Sequence, residues 1–114
     1  MRRGLALAAA AAVLLPAGSA GAQCTPRVSW HTTRYKLVAT RERVPVDRRL
    51  GLGVLIRCSI ARPAQVVPRV SVYAVRGVRP SVAIALRPSK PALYVSTATP
   101  TAAERRVLDR LRAR

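Results

Sequence analysis

The stretch RVSVYAVRGVRPSVAIALR, residues 69–87, decides the fold class, because it holds two alternating runs on either side of a turn. In Arg69 to Arg76, Val70, Val72 and Ala74 alternate with Ser71, Tyr73 and Val75. In Ser81 to Arg87, Val82, Ile84 and Leu86 alternate with Ala83, Ala85 and Arg87. Side chains of a strand point to opposite faces in turn, so this period with β-branched residues predicts two strands. Gly77-Val78-Arg79-Pro80 between them supplies turn residues and a proline that cannot donate to a ladder.

The same period extends outward. Residues 51–58 (GLGVLIRC) set Leu52, Val54, Ile56 and Cys58 on one side, with Leu55 and Arg57 on the other. Ala92 to Thr97 sets Leu93 and Val95 against Tyr94 and Ser96, after the break Pro88-Ser89-Lys90-Pro91. Arg27 to His31 and Tyr35 to Thr40 are two weaker strand candidates. PRVS occurs at 26–29 and again at 68–71, too short for a repeat, and each copy reads as the start of a strand. Runs spaced about 10–12 residues apart suit a small antiparallel sandwich or barrel. No helix-length segment separates them, which argues against a parallel βαβ sheet.

The tail changes period. Thr101-Ala102-Ala103-Glu104 fits a capping box, in which Thr101 accepts from the Glu104 amide and Glu104 reaches back. Val107, Leu108 and Leu111 share a helical stripe, and Arg105–Asp109 is an i, i+4 pair. A short amphipathic helix over about 102–112 follows. Its arginines, Arg105, Arg106, Arg110, Arg112 and Arg114, are the candidate residues for an anion or an acidic partner. A helix this short needs a surface to rest on. That surface is either the sheet or an external membrane or partner.

The front of the chain reads as an export signal. Arg2 and Arg3 precede the apolar run Leu5 to Leu15, Pro16 ends it, and Ala20-Gly21-Ala22 fits the small-residue cleavage pattern. The organisation expected is therefore a signal peptide over 1–22, a β-domain over 23–100 and a basic helix or tail over 101–114. Gly4 to Ala22 is 19 residues without a charge, close to a membrane span, but Pro16 and the Gly/Ser-rich end argue for cleavage over a retained anchor. Cleavage leaves no membrane span and a protein that is periplasmic, on the cell surface or secreted. Cys24 and Cys58 are then the two cysteines of an exported domain and read as one disulfide. Closing that loop contributes roughly 3–4 kcal/mol by the chain-entropy argument. This matters in a domain too small for a large core.

Charge is the strongest compositional signal. The chain has 21 Lys and Arg residues against 4 Asp and Glu. Without Arg2 and Arg3 the balance is nineteen bases to four acids, a net charge near +15. Such a surface attracts polyanions. Four aromatics, Trp30, Tyr35, Tyr73 and Tyr94, are few for stacking bases, and export removes the chain from most nucleic acid, so no specific nucleic-acid role is expected. Catalysis is not expected either. His31 is the single histidine, no acid or nucleophile is placed beside it, and Glu42 and Asp47 lie among arginines that neutralise them. No ligand set for a metal is present and no cofactor motif.

Cys24 early in the exported part and the second cysteine closing GLGVLIRCS resemble the spore coat protein U domain over about residues 23–65, and the later RPSKPALYVSTAT is similar to that family's segment with a Leu-Tyr step. That family includes subunits of archaic chaperone–usher pili. The resemblance implies an immunoglobulin-like sandwich, either complete in itself or finished by a strand from a neighbour or chaperone. Two functions follow as expectations. The first is an exported, non-catalytic binding or structural domain of the envelope, a pilus or coat subunit included. The second is a cationic effector that binds anionic membrane or envelope polymer through its arginines and C-terminal helix. Both need the staple: reduction, or Cys24→Ser with Cys58→Ser, should cost about 2–5 kcal/mol of stability. Melting followed by circular dichroism checks this, and an unchanged melting curve would refute it.

Overall fold

A computed structural model describes residues 24–58, 62–87 and 90–113. The expected signal segment, its cleavage site and Arg114 lie outside the described residues. The domain is mainly β. Among the described residues it has six strands, β1 (Arg27–Trp30), β2 (Thr33–Val38), β3 (Val46–Arg57), β4 (Gln65–Val75), β5 (Ala83–Leu86) and β6 (Ala92–Val95), followed by one helix, α1 (Ala102–Leu111). Every pairing is antiparallel, and the order β1-β2-β6-β5-β4-β3 returns to β1 as a closed barrel. Cys24 and Cys58 form the expected disulfide across 34 residues, with Cα atoms 5.9 Å apart. No described helix is long and apolar enough to cross a membrane.

Two apolar layers hold this barrel. Its inside is filled by Val28, Tyr35, Leu55, Val72, Ile84, Leu86 and Tyr94. The outside of β5 and β6 carries the second layer, where Ala83, Ala85 and Leu93 pack with Val44, Val82, Leu108 and Leu111. β5 is therefore buried on both faces, which explains why its run is apolar at every position from 82 to 86. Small alanines on its outer side let α1 approach closely.

The reading of β4 agrees with the structure, since Val72 and Ala74 are buried. In β3 the apparent apolar side faces out: Leu52 is 44 % and Val54 38 % exposed, while Leu55 is buried. Gly53 is the reason. A Cβ at Gly53 would stand 2.9 Å from the Ser29 carbonyl oxygen and 3.0 Å from Val72 Cγ2. Only glycine fits that inward position, so the parity of the strand is set by Gly53 and Leu55. Bulges adjust the register: between Gly53↔Val70 and Val54↔Pro68, Arg69 is the extra residue, with φ 66°. Bulges of this kind bend and twist a strand, as a six-strand closure requires. Pro68 lies beside the bulge, where a missing amide is tolerated.

β1 and β2 join through His31 and Thr32, both with positive φ (49° and 62°), in a two-residue hairpin loop. Positive φ at both centres is the turn whose twist matches the flanking strands. His31 is thus an exposed turn residue stacked near Trp30, with ring centroids 4.2 Å apart. We predict that Gly53→Ala destabilises the domain by about 1–3 kcal/mol through overpacking. Urea unfolding measures it, and a neutral substitution would contradict the close approach of β1.

Candidate anion-binding site

The position of α1 is set by a single carboxylate. Thr101 caps the helix, its hydroxyl accepting from the Glu104 amide at 3.1 Å, while the Thr101 amide donates to Glu104 Oε1 at 2.8 Å. Glu104 is only 5 % exposed, and Arg79 from the β4–β5 connection closes the rest of its shell. The Arg79 amide and Nε donate to Oε2 at 2.8 and 2.9 Å, and Nη2 donates to Oε1 at 2.9 Å. Two oxygens thus accept four hydrogen bonds, two of them from one planar guanidinium, the strong two-pronged arrangement of arginine with carboxylate. Hydrogen bonds from the Arg79 side chain, then from the Thr101 and Arg79 amides, hold the Glu104 carboxyl at about 2, below its ordinary 4.5.

The far end of α1 is tied to the segment after β2. The Arg41 amide donates to the Leu111 carbonyl at 2.9 Å and Arg41 Nε to the Arg110 carbonyl at 2.9 Å. These satisfy carbonyls that the helix itself leaves open. Thr40 and Arg112 form a bridge, and the Ala113 amide donates to the Ala39 carbonyl. Leu108 and Leu111 are buried under this frame, so α1 rests on the barrel and presents no apolar stripe outward.

This placement sorts the candidate arginines. Arg105 and Arg106 are exposed on the outer side of α1. Arg110 lies 3.9 Å from Glu42 in an exposed pair worth little in water. The Arg105–Asp109 pair does not form among the described contacts. Arginine preceding its acid is the weaker order along a helix, and both side chains are solvated. Arg112 alone of the candidates joins a cleft, and Arg114 lies outside the described residues.

The cleft runs along the outer side of β1, β2 and β6 and has a volume of about 820 Å³. Arg27, Arg34, Lys36 and Arg112 line it, with hydroxyls from Thr32 and Ser96 among the other polar groups. Register brings the cations together. Arg27 pairs directly with Lys36, and Arg34 follows two residues back on the same side of β2. Like charges directly opposite one another across strands cost stability. No Asp or Glu lines the cleft to offset them. An anion with several oxygens, bridging the two strands, would turn that repulsion into charge-assisted hydrogen bonds. The sequence reading missed Arg27, Arg34 and Lys36. The available signal was the alternation R-Y-K across Tyr35, which puts two bases on the face opposite a buried tyrosine.

Among the described residues, no group of three or more His, Cys, Asp or Glu side chains could hold a metal ion. Fold and cleft together define a small, disulfide-stapled antiparallel barrel with a cationic outer face. The chain belongs to DUF6281, a family of unknown function whose pattern matches residues 18–111. No curated protein and no solved structure matches it.

Acid titration tests the Glu104 node. A carboxyl held at about 2 when folded and near 4.5 when unfolded contributes its stability in full above that window and loses it as pH falls through it. Glu104→Gln should therefore lower the melting temperature at neutral pH and flatten the loss of stability between about pH 4.5 and 2. Equal slopes for the two proteins in that window would exclude the node.

Proposed function

We propose that this protein is an exported, non-catalytic binding domain that attaches to an anionic polymer or lipid of the cell envelope through the Arg27–Arg34–Lys36–Arg112 cleft. The observation that carries this reading is the direct cross-strand opposition of Arg27 and Lys36, with Arg34 beside them and no carboxylate in the lining. An arrangement that costs the free protein stability is best understood as a place where a partner supplies the missing negative charge. The disulfide supports an oxidising compartment.

A second reading, assembly by strand addition as in the subunits that the sequence resembles, has one observation in its favour. β4 pairs with β5 only over Val72 to Ala74, so Gln65 to Ser71 pair with β3 alone among the described strands. Val66 on that edge is 63 % exposed. Pro68 and the Arg69 bulge interrupt the edge, as protected edges do. The cleft therefore supports binding by charge better than the edge supports added strands.

Binding to dextran sulfate, followed across salt concentration, tests the main reading. Arg34→Gln with Lys36→Gln should weaken binding at low salt about tenfold or more and reduce the slope of log K against log salt by about two. Arg105→Gln with Arg106→Gln removes the same charge from the helix and should cost much less. Equal losses would mean diffuse attraction to a basic surface, and the cleft would not be the site.

A further inference from the structure

Near the disulfide the described residues leave two hollows against the barrel interior, and one interior tyrosine there differs from the other in one chemical respect. The barrel interior holds two buried tyrosines. Tyr35 donates its hydroxyl to the Pro80 carbonyl at 2.9 Å. Tyr94, 5 % exposed, has no side-chain hydrogen-bond partner among the described residues. A buried hydroxyl gains from a hydrogen-bond partner, so a polar group brought to Tyr94 would be bound favourably.

The two hollows, of about 260 Å³ and about 270 Å³, meet there. Both are lined by Leu55, Arg57 and Leu86, so Arg57 stands where they join. Tyr94, Leu37 and Ala92 complete the apolar wall of the first, which also touches Cys58. Leu37, opposite Tyr94 on the inner side of the ladder, is 38 % exposed and borders the first hollow.

The rim is cationic. Arg57 follows Leu55 by two residues and therefore stands on the same, inner side of β3. Its charge acts on the Tyr94 hydroxyl, opposing the rise in pKa that burial imposes. Lys90 borders the first hollow and Arg87 the second, and no Asp or Glu lines either. Arg57 is exposed at the end of β3 beside leucines, and no carboxylate lines either hollow to pair with it.

We propose that this mouth is a second site, which binds a small amphipathic anion: a carboxylate on Arg57 and Lys90, reached by the Tyr94 hydroxyl, with a short aliphatic chain against Leu37, Leu55 and Leu86. The chain length is limited by the hollows, and the mouths of small barrels are common ligand sites. The site is separate from the outer cleft and stands or falls without it.

Calorimetric titration of the oxidised protein with octanoate, at salt high enough to screen surface attraction, is the test. Octanol tests the need for charge and acetate the need for the chain. Saturable binding of octanoate at one site, with octanol and acetate each at least about tenfold weaker, is expected. Arg57→Gln should weaken octanoate about tenfold or more, and Tyr94→Phe by a smaller factor. Ala92→Phe should fill the hollow and block the chain. Circular dichroism and unchanged dextran sulfate binding through the cleft show that each variant is folded. Equal affinity for octanol and octanoate, full binding by a folded Arg57→Gln protein, or no saturable binding to the wild-type chain would each overturn the proposal. Vesicles containing an anionic lipid separate the two sources of this chemistry. Competition by vesicles with octanoate assigns the mouth to a lipid, and vesicle binding that octanoate leaves unchanged assigns it to a free carboxylate.

Discussion

The carboxylate of Glu104 is the constraint on which the remaining architecture rests. Among the described residues it is the one buried charged side chain, and its four hydrogen bonds join the N-terminus of α1 to the turn before β5. Without that link, α1 is held on the sheet by Leu108, Leu111 and part of Val107 and, at its far end, by the Arg41 and Ala113 hydrogen bonds, with its first turn untied. With it, the helix covers the outer faces of Ala83, Ala85 and Leu93, and a four-residue strand becomes the most enclosed part of the molecule. A ten-residue helix is marginal alone in water, so its helicity is a consequence of docking. The same docking delivers Arg112 to the edge of the cleft through the Thr40 bridge.

How much of this could be read in the sequence depends on whether the deciding interaction is local. The capping box is local, and Thr101 and Glu104 declare it at a spacing of three. The alternation of β5 is local as well, because larger residues inside the barrel, Ile84 and Leu86, take turns with Ala83 and Ala85 outside it. The inverted parity of β3 is not. Leu52, Val54 and Ile56 look like a core face until β1 is laid against Gly53, and that approach is made by a residue 24 positions earlier, Ser29. The Arg79 partner of Glu104 is equally hidden, since it lies in a turn 25 residues away. Arginines are so frequent here that none announces its own partner. The cleft escaped for the same reason: charge was expected on the helix, where the bases cluster in sequence, whereas Arg27 and Lys36 become neighbours only through hairpin register.

An excess of positive charge also changes what the acids can mean. With four carboxylates in the chain, most arginines have no possible partner within the molecule. Of the two ion pairs among the described residues, one is exposed and 3.9 Å long, and the other serves the helix cap. Beyond the Glu104 node, stability is left to apolar packing, backbone ladders and the Cys24–Cys58 link. The surface is left free to carry a field. In such a molecule a lone arginine says little, and only its setting is informative. Arg27 opposite Lys36 and Arg57 over an apolar mouth are two settings in which water alone is a poor partner.

These two settings share the strands that make them. Lys36 lines the cleft and Leu37 the mouth; Val95 lines the cleft and Tyr94 the mouth; Arg27 lines the cleft and Pro26 the mouth. Each is a pair of consecutive residues, so the alternation of a strand sends one member out and the other in. A slip of β2 by a single residue would exchange the two sets, burying Lys36 in the barrel and exposing Tyr35. The hairpin turn at His31 and Thr32 and the return of β6 onto β2 hold that register from both sides. The polarity of both surfaces is therefore one property of the β1–β2–β6 ladder, and neither can be altered by a change of register without destroying the other.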